Sequence, residues 1–378
     1  MRDTKEQVNE HIADLLDRLW AGWLPGGTAF DTCVAAVVEQ TGYVEADVSS
    51  QLLAVARECS SPALATLIRA ESFGTSQRPE RTLVLAAAGV PGVTLSAVTS
   101  ALFLGAKVQV RPSKDELVLR HWLAHATTVA PELARQVTVI DEIDWDWPDS
   151  AIVYGRDETI DLVREHLPAG SALAAYGNRE GVAIIGQSAD ASATADWLPL
   201  LSDDVMTFAQ RGCMCPQHIY VVGSAARVDA VTDMLELAFS EGYRHHVTPA
   251  QRERDSYAAR AAADAQFFSH AYEPVTRKTR HGSPVHSRTI ASPTGIPELA
   301  LTVSQLVDRD LVNSEQSTRQ TCVIVAVDEH ERAELTEFAY HDAGFTRVCT
   351  PGAAHHPSPM WTHDGVGRIG PLVKPVKS

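Results

Sequence analysis

The sequence predicts an α/β protein, a doubly wound parallel sheet domain joined to a second α/β domain, and three observations carry that expectation. From Arg81 onward, apolar runs of strand length alternate with stretches of helical spacing, the pattern that gives parallel sheets flanked by helices. A chain of 378 residues exceeds what one hydrophobic core usually serves. A hydrophobic fraction of 45% and a charged fraction of 21% are those of a globular protein, not a disordered one.

The first 80 residues read as a helical segment packing on the first domain. Thr4 with Gln7 forms a capping box, and Val8, Ile12, Leu15, Leu16 and Leu19 share one helical face. Gly26 and Gly27 end that helix, and apolar spacing from Leu52 to Ile68 predicts one or two more, closing at Gly74. The first domain is expected over 81–187. Its strands are Thr82 to Ala87, Lys107 to Arg111, Val137 to Ile140, Ala151 to Tyr154 and Gly181 to Gly186, and its helices are Val93 to Leu104 and Asp157 to His166. A second domain is expected over 188–345, with strands Ile219 to Val222 and Cys322 to Val327. The segment 346–378 would return to the domain interface. Arg252 to Pro284 is polar and arginine-rich, and no element is assigned to it.

A formal net charge of −16 argues against nucleic acid or an anionic membrane as partner, since both need a basic face. The amino terminus is charged where a secretory signal needs an apolar stretch. Thr82 to Ala106 is uncharged and long enough to span a bilayer, but Gly89, Pro91 and Gly92 interrupt it, so a strand, a turn and a buried helix explain it better. Six cysteines in a chain this long are no disulfide framework. A cytoplasmic protein is expected.

Two of those cysteines stand apart. Gln210-Arg211-Gly212-Cys213-Met214-Cys215-Pro216-Gln217 precedes an apolar strand. A cysteine after glycine and before a proline-bounded turn can expose its sulfur, and Arg211 with nearby amides would favour the thiolate. The same spacing suits a structural pair of buried thiols. No metal site is expected, because no second Cys or His pair stands at zinc spacing. His355, His356 and His363 fall in a Pro- and Gly-rich stretch and read as solvated loop residues. There is no G-x-G-x-x-G fingerprint. Arg111-Pro112-Ser113-Lys114 closes a predicted strand with two cations and a hydroxyl, which suits a ribose or a 2′-phosphate as well as it suits a solvated loop.

Taken in order, the Gly89-Val90-Pro91-Gly92 turn, Arg111-Pro112-Ser113, Tyr154-Gly155, Tyr176-Gly177-Asn178-Arg179 and the Cys213 segment resemble the aldehyde dehydrogenase superfamily. The resemblance is strongest to the fatty acyl-CoA reductases of bacterial bioluminescence, where Ser-Pro-Gln follows the nucleophilic cysteine; here Cys215 stands in the serine's place. Gly344-Phe345, Pro351-Gly352, Trp361-Thr362-His363-Asp364-Gly365 and Pro371-Leu372 extend it to the carboxyl end.

The resemblance implies an aldehyde-dehydrogenase-like fold and a reductase that makes aldehyde from an acyl-CoA or acyl-carrier-protein thioester. Cys213 would be the nucleophile, with Cys215 and Gln217 supporting it. The first domain would hold the dinucleotide through Arg111, Ser113, Lys114, Gly155, Arg156 and Gly177. Lys114 replaces an acidic residue that disfavours a 2′-phosphate, so NADPH is expected over NADH. The family also implies a homo-oligomer. Ala174-Ala175-Tyr176 lacks the glutamate base of hydrolytic members, and Gly89 replaces the asparagine that helps hold the oxyanion, a donor worth on the order of 10²–10³ in rate. That second departure keeps two rivals open: a cysteine-dependent acyltransferase with no redox step, and a non-catalytic subunit that binds a carrier protein.

Overall fold

The computed structural model describes residues 4–71, 76–86, 89–113, 116–177, 179–190, 192, 195–255, 285–291, 301–306 and 319–375. Two compact units emerge, one of residues 1–41, 45–178 and 358–378, the other of residues 42–44 and 179–357.

The first unit opens with four helices, α1 (Thr4–Ala21), α2 (Thr28–Thr41), α3 (Glu45–Glu58) and α4 (Ser61–Glu71). A two-residue strand β1 (Ser76–Gln77) precedes β2 (Arg81–Leu85), α5 (Val93–Phe103), β3 (Lys107–Arg111), α6 (Val118–Val129), α7 (Pro131–Ala134) and β4 (Val137–Val139). Then come β5 (Ser150–Tyr154), α8 (Asp157–His166) and β6 (Ala172–Tyr176). The sheet order is β4-β3-β2-β5-β6 and every pairing is parallel. Chain order therefore reverses between β2 and β5, the switch point at which such sheets take their ligands.

The long uncharged stretch from Thr82 becomes β2, a turn and α5. Its helix is buried along ten of its eleven residues, and the hydroxyls of Thr99 and Ser100 bond back to the carbonyls of Leu95 and Ser96, so these polar groups enter the core satisfied. Among the described residues no helix is long and apolar enough to cross a membrane.

The second unit contains β7 (Glu180–Ile185), α9 (Trp197–Met206), β8 (Pro216–Val221), α10 (Ala225–His246), β9 (Ser287–Ile290), β10 (Leu301–Gln305), β11 (Arg319–Val325), α11 (Glu329–Glu337) and β12 (Arg347–Cys349). Its sheet runs β12-β11-β7-β8-β10-β9. All pairs are parallel except β9 with β10. Val182, Ile184, Tyr220, Cys322, Ile324 and Phe338 form a core on this sheet.

The expected boundary at 187 thus falls after β7, whereas β7 pairs with β8 and β11 inside the second sheet. The carboxyl-terminal residues divide as well: β12 belongs to the second unit, while 358–378 belong to the first, where β13 (Lys374–Pro375) pairs with β1. Of the polar segment 252–284, all but its first four residues lie outside the described residues.

Candidate active site

Cys213 sits just ahead of β8, at that strand's amino end. The chain reaches it through an unusual backbone. After α9 ends at Met206, three consecutive non-glycine residues, Phe208, Ala209 and Gln210, take left-handed conformations with φ of 55°, 51° and 64°. Each such residue costs on the order of 1 kcal/mol or more and persists only where its surroundings hold it. Here they do: all three are buried, and the Phe208 ring is clamped edge-on by Tyr43 at 5.4 Å and His355 at 5.9 Å. The chain then turns again, the Cys215 amide donating to the Gly212 carbonyl at 3.0 Å, with Cys213 inside the turn.

The two thiols have different surroundings. Cys213 is half-buried and in no disulfide. Cys215 is 0% exposed and its thiol is pushed up to about 12 by burial. Its S–H donates to the Thr207 carbonyl at 3.5 Å, and its sulfur lies 3.7 Å from His355 Nε2. A thiol that stays protonated and sealed is no nucleophile. Gln217, on the second position of β8, is half-buried at the irregularity in the β7–β8 pairing. Gly181 lies against the same turn; a Cβ there would stand 2.5 Å from the Cys215 carbonyl oxygen.

His355 is not the solvated loop residue expected from its Pro- and Gly-rich context. Its Nε2 donates to the Asp204 carbonyl at 2.9 Å, and burial holds its ring down at about 4. Asp204, 2% exposed on α9, accepts the amides of Gly352 at 2.7 Å and Ala354 at 2.9 Å. Burial pushes its carboxyl up to about 6 against the pull of those amides. His363 departs from the same expectation. Its ring stacks between Tyr176 at 4.8 Å and Trp361 at 5.1 Å, and Tyr176 stacks on Tyr154 at 4.9 Å. Only His356 of the three is exposed.

These shifts predict a pH effect. The unfolded chain protonates His355 first, so acid destabilises the fold between the ordinary histidine value of 6.5 and about 4. The folded chain protonates Asp204 first, so acid relieves it between about 6 and 3.8. The two oppose one another over nearly one window, and Asp203, His246, His356 and Arg347 are the charged groups facing the pair. Asp204→Asn removes one side of the balance. Its urea midpoint should fall between pH 7 and 5 by an extra loss on the order of 1–2 kcal/mol relative to wild type; parallel pH profiles would refute the assignment.

Those residues expected to hold a dinucleotide that are described belong to the first unit, at or just beyond the carboxyl ends of its strands. Arg111 ends β3, exposed, with Nε donating to the Asp141 carbonyl at 3.3 Å. Ser113 is half-buried two residues on, and Lys114 lies outside the described residues. Gly155 follows β5 and donates its amide to the Tyr176 carbonyl at 3.1 Å; Arg156 is exposed and opens α8; Gly177 follows β6. Gly89 follows β2 with φ of 103°. That conformation favours glycine, so this position supplies no side-chain amide where the resemblance implies an oxyanion donor.

Comparison with known proteins fits this architecture. A family profile described as Acyl-CoA reductase (LuxC) matches residues 64–374. Comparison with curated protein sequences finds no match. Among solved structures, the chain is similar to succinate-semialdehyde dehydrogenase from Burkholderia pseudomallei (TM-score 0.68, 13% identity, covering 97% of this chain and 84% of that one). It is also similar to the Mycobacterium tuberculosis aldehyde dehydrogenase complexed with NAD+ (TM-score 0.69, 10% identity, covering 98% and 85%). At such identities the likeness is one of fold, and the family profile carries the rest. The chain belongs to the acyl-CoA reductase (LuxC) family and is an aldehyde-forming oxidoreductase on the aldehyde dehydrogenase fold.

Proposed function

We propose that the protein reduces an acyl thioester, acyl-CoA or acyl-carrier protein, to an aldehyde through an acyl-enzyme on Cys213, with NADPH as the reductant. The observation that carries this reading is the contrast within one turn: Cys213 is half-exposed, whereas Cys215 is sealed and held protonated. Cys213 as thiolate attacks the carbonyl carbon, the new C–S bond forms, and the carrier thiol leaves with a proton. A nicotinamide cofactor held by the first unit would supply the hydride that takes the acyl group to the aldehyde level, and Cys213 would be released as its bond to carbon breaks and aldehyde departs. The backbone amide of Cys213 would serve as an oxyanion donor in this reading, since Gly89 offers none from a side chain.

The adenosine end of the cofactor fits the residues present, because Arg111 puts an exposed guanidinium and Ser113 a hydroxyl at the end of β3. The pyrophosphate fits less simply. Asp157 and Glu158 occupy the first turn of α8 and already offset the positive end of its dipole, which leaves Arg156 as the cation there. The end of β6 carries Ala174-Ala175-Tyr176 in place of a carboxylate, so that strand end holds no base to activate water against the acyl-enzyme.

The test is to mix protein, acyl-CoA and NADPH and to follow cofactor absorbance together with aldehyde. Cys213 acylation with no cofactor consumption would favour the acyltransferase reading; a fully active Cys213→Ser would favour a non-catalytic thiol. Arg111→Glu should raise KM for NADPH by about tenfold or more with little change for NADH. An equal change for both cofactors would remove the 2′-phosphate role.

A further inference from the structure

We infer that His355 is a positioning residue for Cys213: its single imidazole braces both ends of the segment 208–215 that presents the thiol. This deepens the proposed function and rests on Cys213 being the nucleophile.

The last carbonyls of a helix lack intrahelical partners and need others. At the end of α9, the Asp203 carbonyl takes both the amide and the hydroxyl of Thr207, the Asp204 carbonyl takes His355 Nε2, and, just past the helix, the Thr207 carbonyl takes the Cys215 thiol. A carbonyl only accepts, so His355 Nε2 carries the hydrogen and the neutral ring leaves Nδ1 bare. Cys215 sulfur faces that same N–H while its own hydrogen points to Thr207, which fixes both side chains in one arrangement. The ring of His355 meets the other end of the segment by its edge-on contact with Phe208, inside the left-handed run. Cys213 lies between these two contacts.

The loop that carries His355 is itself fixed from two sides. Asp204 binds its amides at Gly352 and Ala354, and Arg347, buried on β12, donates to the carbonyls of Ala353 and Ala354. Three left-handed residues revert to commoner conformations unless held, and the brace supplies part of what holds them.

The test compares His355→Leu, which keeps bulk and loses the N–H, with His355→Gln, which returns a donor at similar reach. In His355→Leu the rate of Cys213 acylation should fall on the order of 10²-fold, as misplacement by about 1 Å does, with KM for the thioester little changed. Iodoacetamide with peptide mapping should then label Cys215, which its burial should protect in wild type, and His355→Gln should restore most of both properties. A folded His355→Leu that acylates at the wild-type rate and keeps Cys215 unlabelled overturns the inference. Should that variant not fold, ¹⁵N spectra of the wild-type histidines decide: an Nε2-protonated ring that does not titrate from about pH 8 to 5.5 is expected, and an Nδ1-protonated or ordinarily titrating ring overturns it. Alkylation needs neither thioester nor cofactor, so a wild type inactive in reduction would sink the reductase reading while leaving this one answered.

Discussion

Cys213→Ala is expected to lower aldehyde formation by at least about 10⁴-fold and to abolish the covalent acyl adduct. Removing a nucleophile deletes the step that the rest of a site is built to serve, and the remaining machinery supplies little on its own. The neighbouring thiol cannot substitute. Cys215 is 0% exposed, its thiol is held protonated up to about pH 12, and its hydrogen is committed to the Thr207 carbonyl. Cys215→Ser should therefore still form the adduct on Cys213, slowed by no more than about tenfold, since a hydroxyl keeps the same donor and acceptor roles. Intact-mass measurement after mixing each variant with acyl-CoA reads the result directly. An adduct on Cys213→Ala, mapped to the Cys215 peptide, would reverse the assignment of the two sulfurs.

How far the sequence reaches is set by how local each signal is. The helix Asp157–His166 was legible because acidic residues open it and basic ones close it. The strand Lys107–Arg111 was legible from its alternation before a proline. Ala172–Tyr176 carries no strand signature, being rich in alanine, and only its pairing with β5 makes it one. Asp204 did leave a trace, a carboxylate in a helix whose Leu198, Leu201 and Val205 are buried. His355 left none. Its role exists only because the fold returns a loop to a cysteine 140 residues earlier. His363 reads as solvated for a related reason, since two of the rings beside it, Tyr154 and Tyr176, end strands far from it in sequence. The thiol turn is legible from Gly212, the following proline and the resemblance, but its left-handed run has no signal in Phe208-Ala209-Gln210, residues that seldom adopt it.

That run makes the turn sensitive from behind, and Gly181→Ala should show it. A Cβ at Gly181 would meet the Cys215 carbonyl oxygen at 2.5 Å, its carbon at 2.7 Å and the Met214 carbonyl oxygen at 2.7 Å. All three are main-chain atoms, so no side chain can swing aside to make room. Either β7 moves off β8, where Gly181 pairs with Pro216, or the turn moves, and with it Cys213. The expected cost is about 3 kcal/mol in stability, together with a fall on the order of 10²-fold in Cys213 acylation per folded molecule. Gly92→Ala is the control. It introduces strain at φ of 81° and a contact of 2.9 Å with Leu52, both residues lying in the first unit while Cys213 lies in the second, so it should lower the melting temperature by a comparable amount while leaving iodoacetamide labelling of Cys213 at the wild-type rate. If Gly181→Ala behaves like Gly92→Ala, destabilised but with an unaltered thiol, the backbone behind Cys215 does not set the position of the nucleophile.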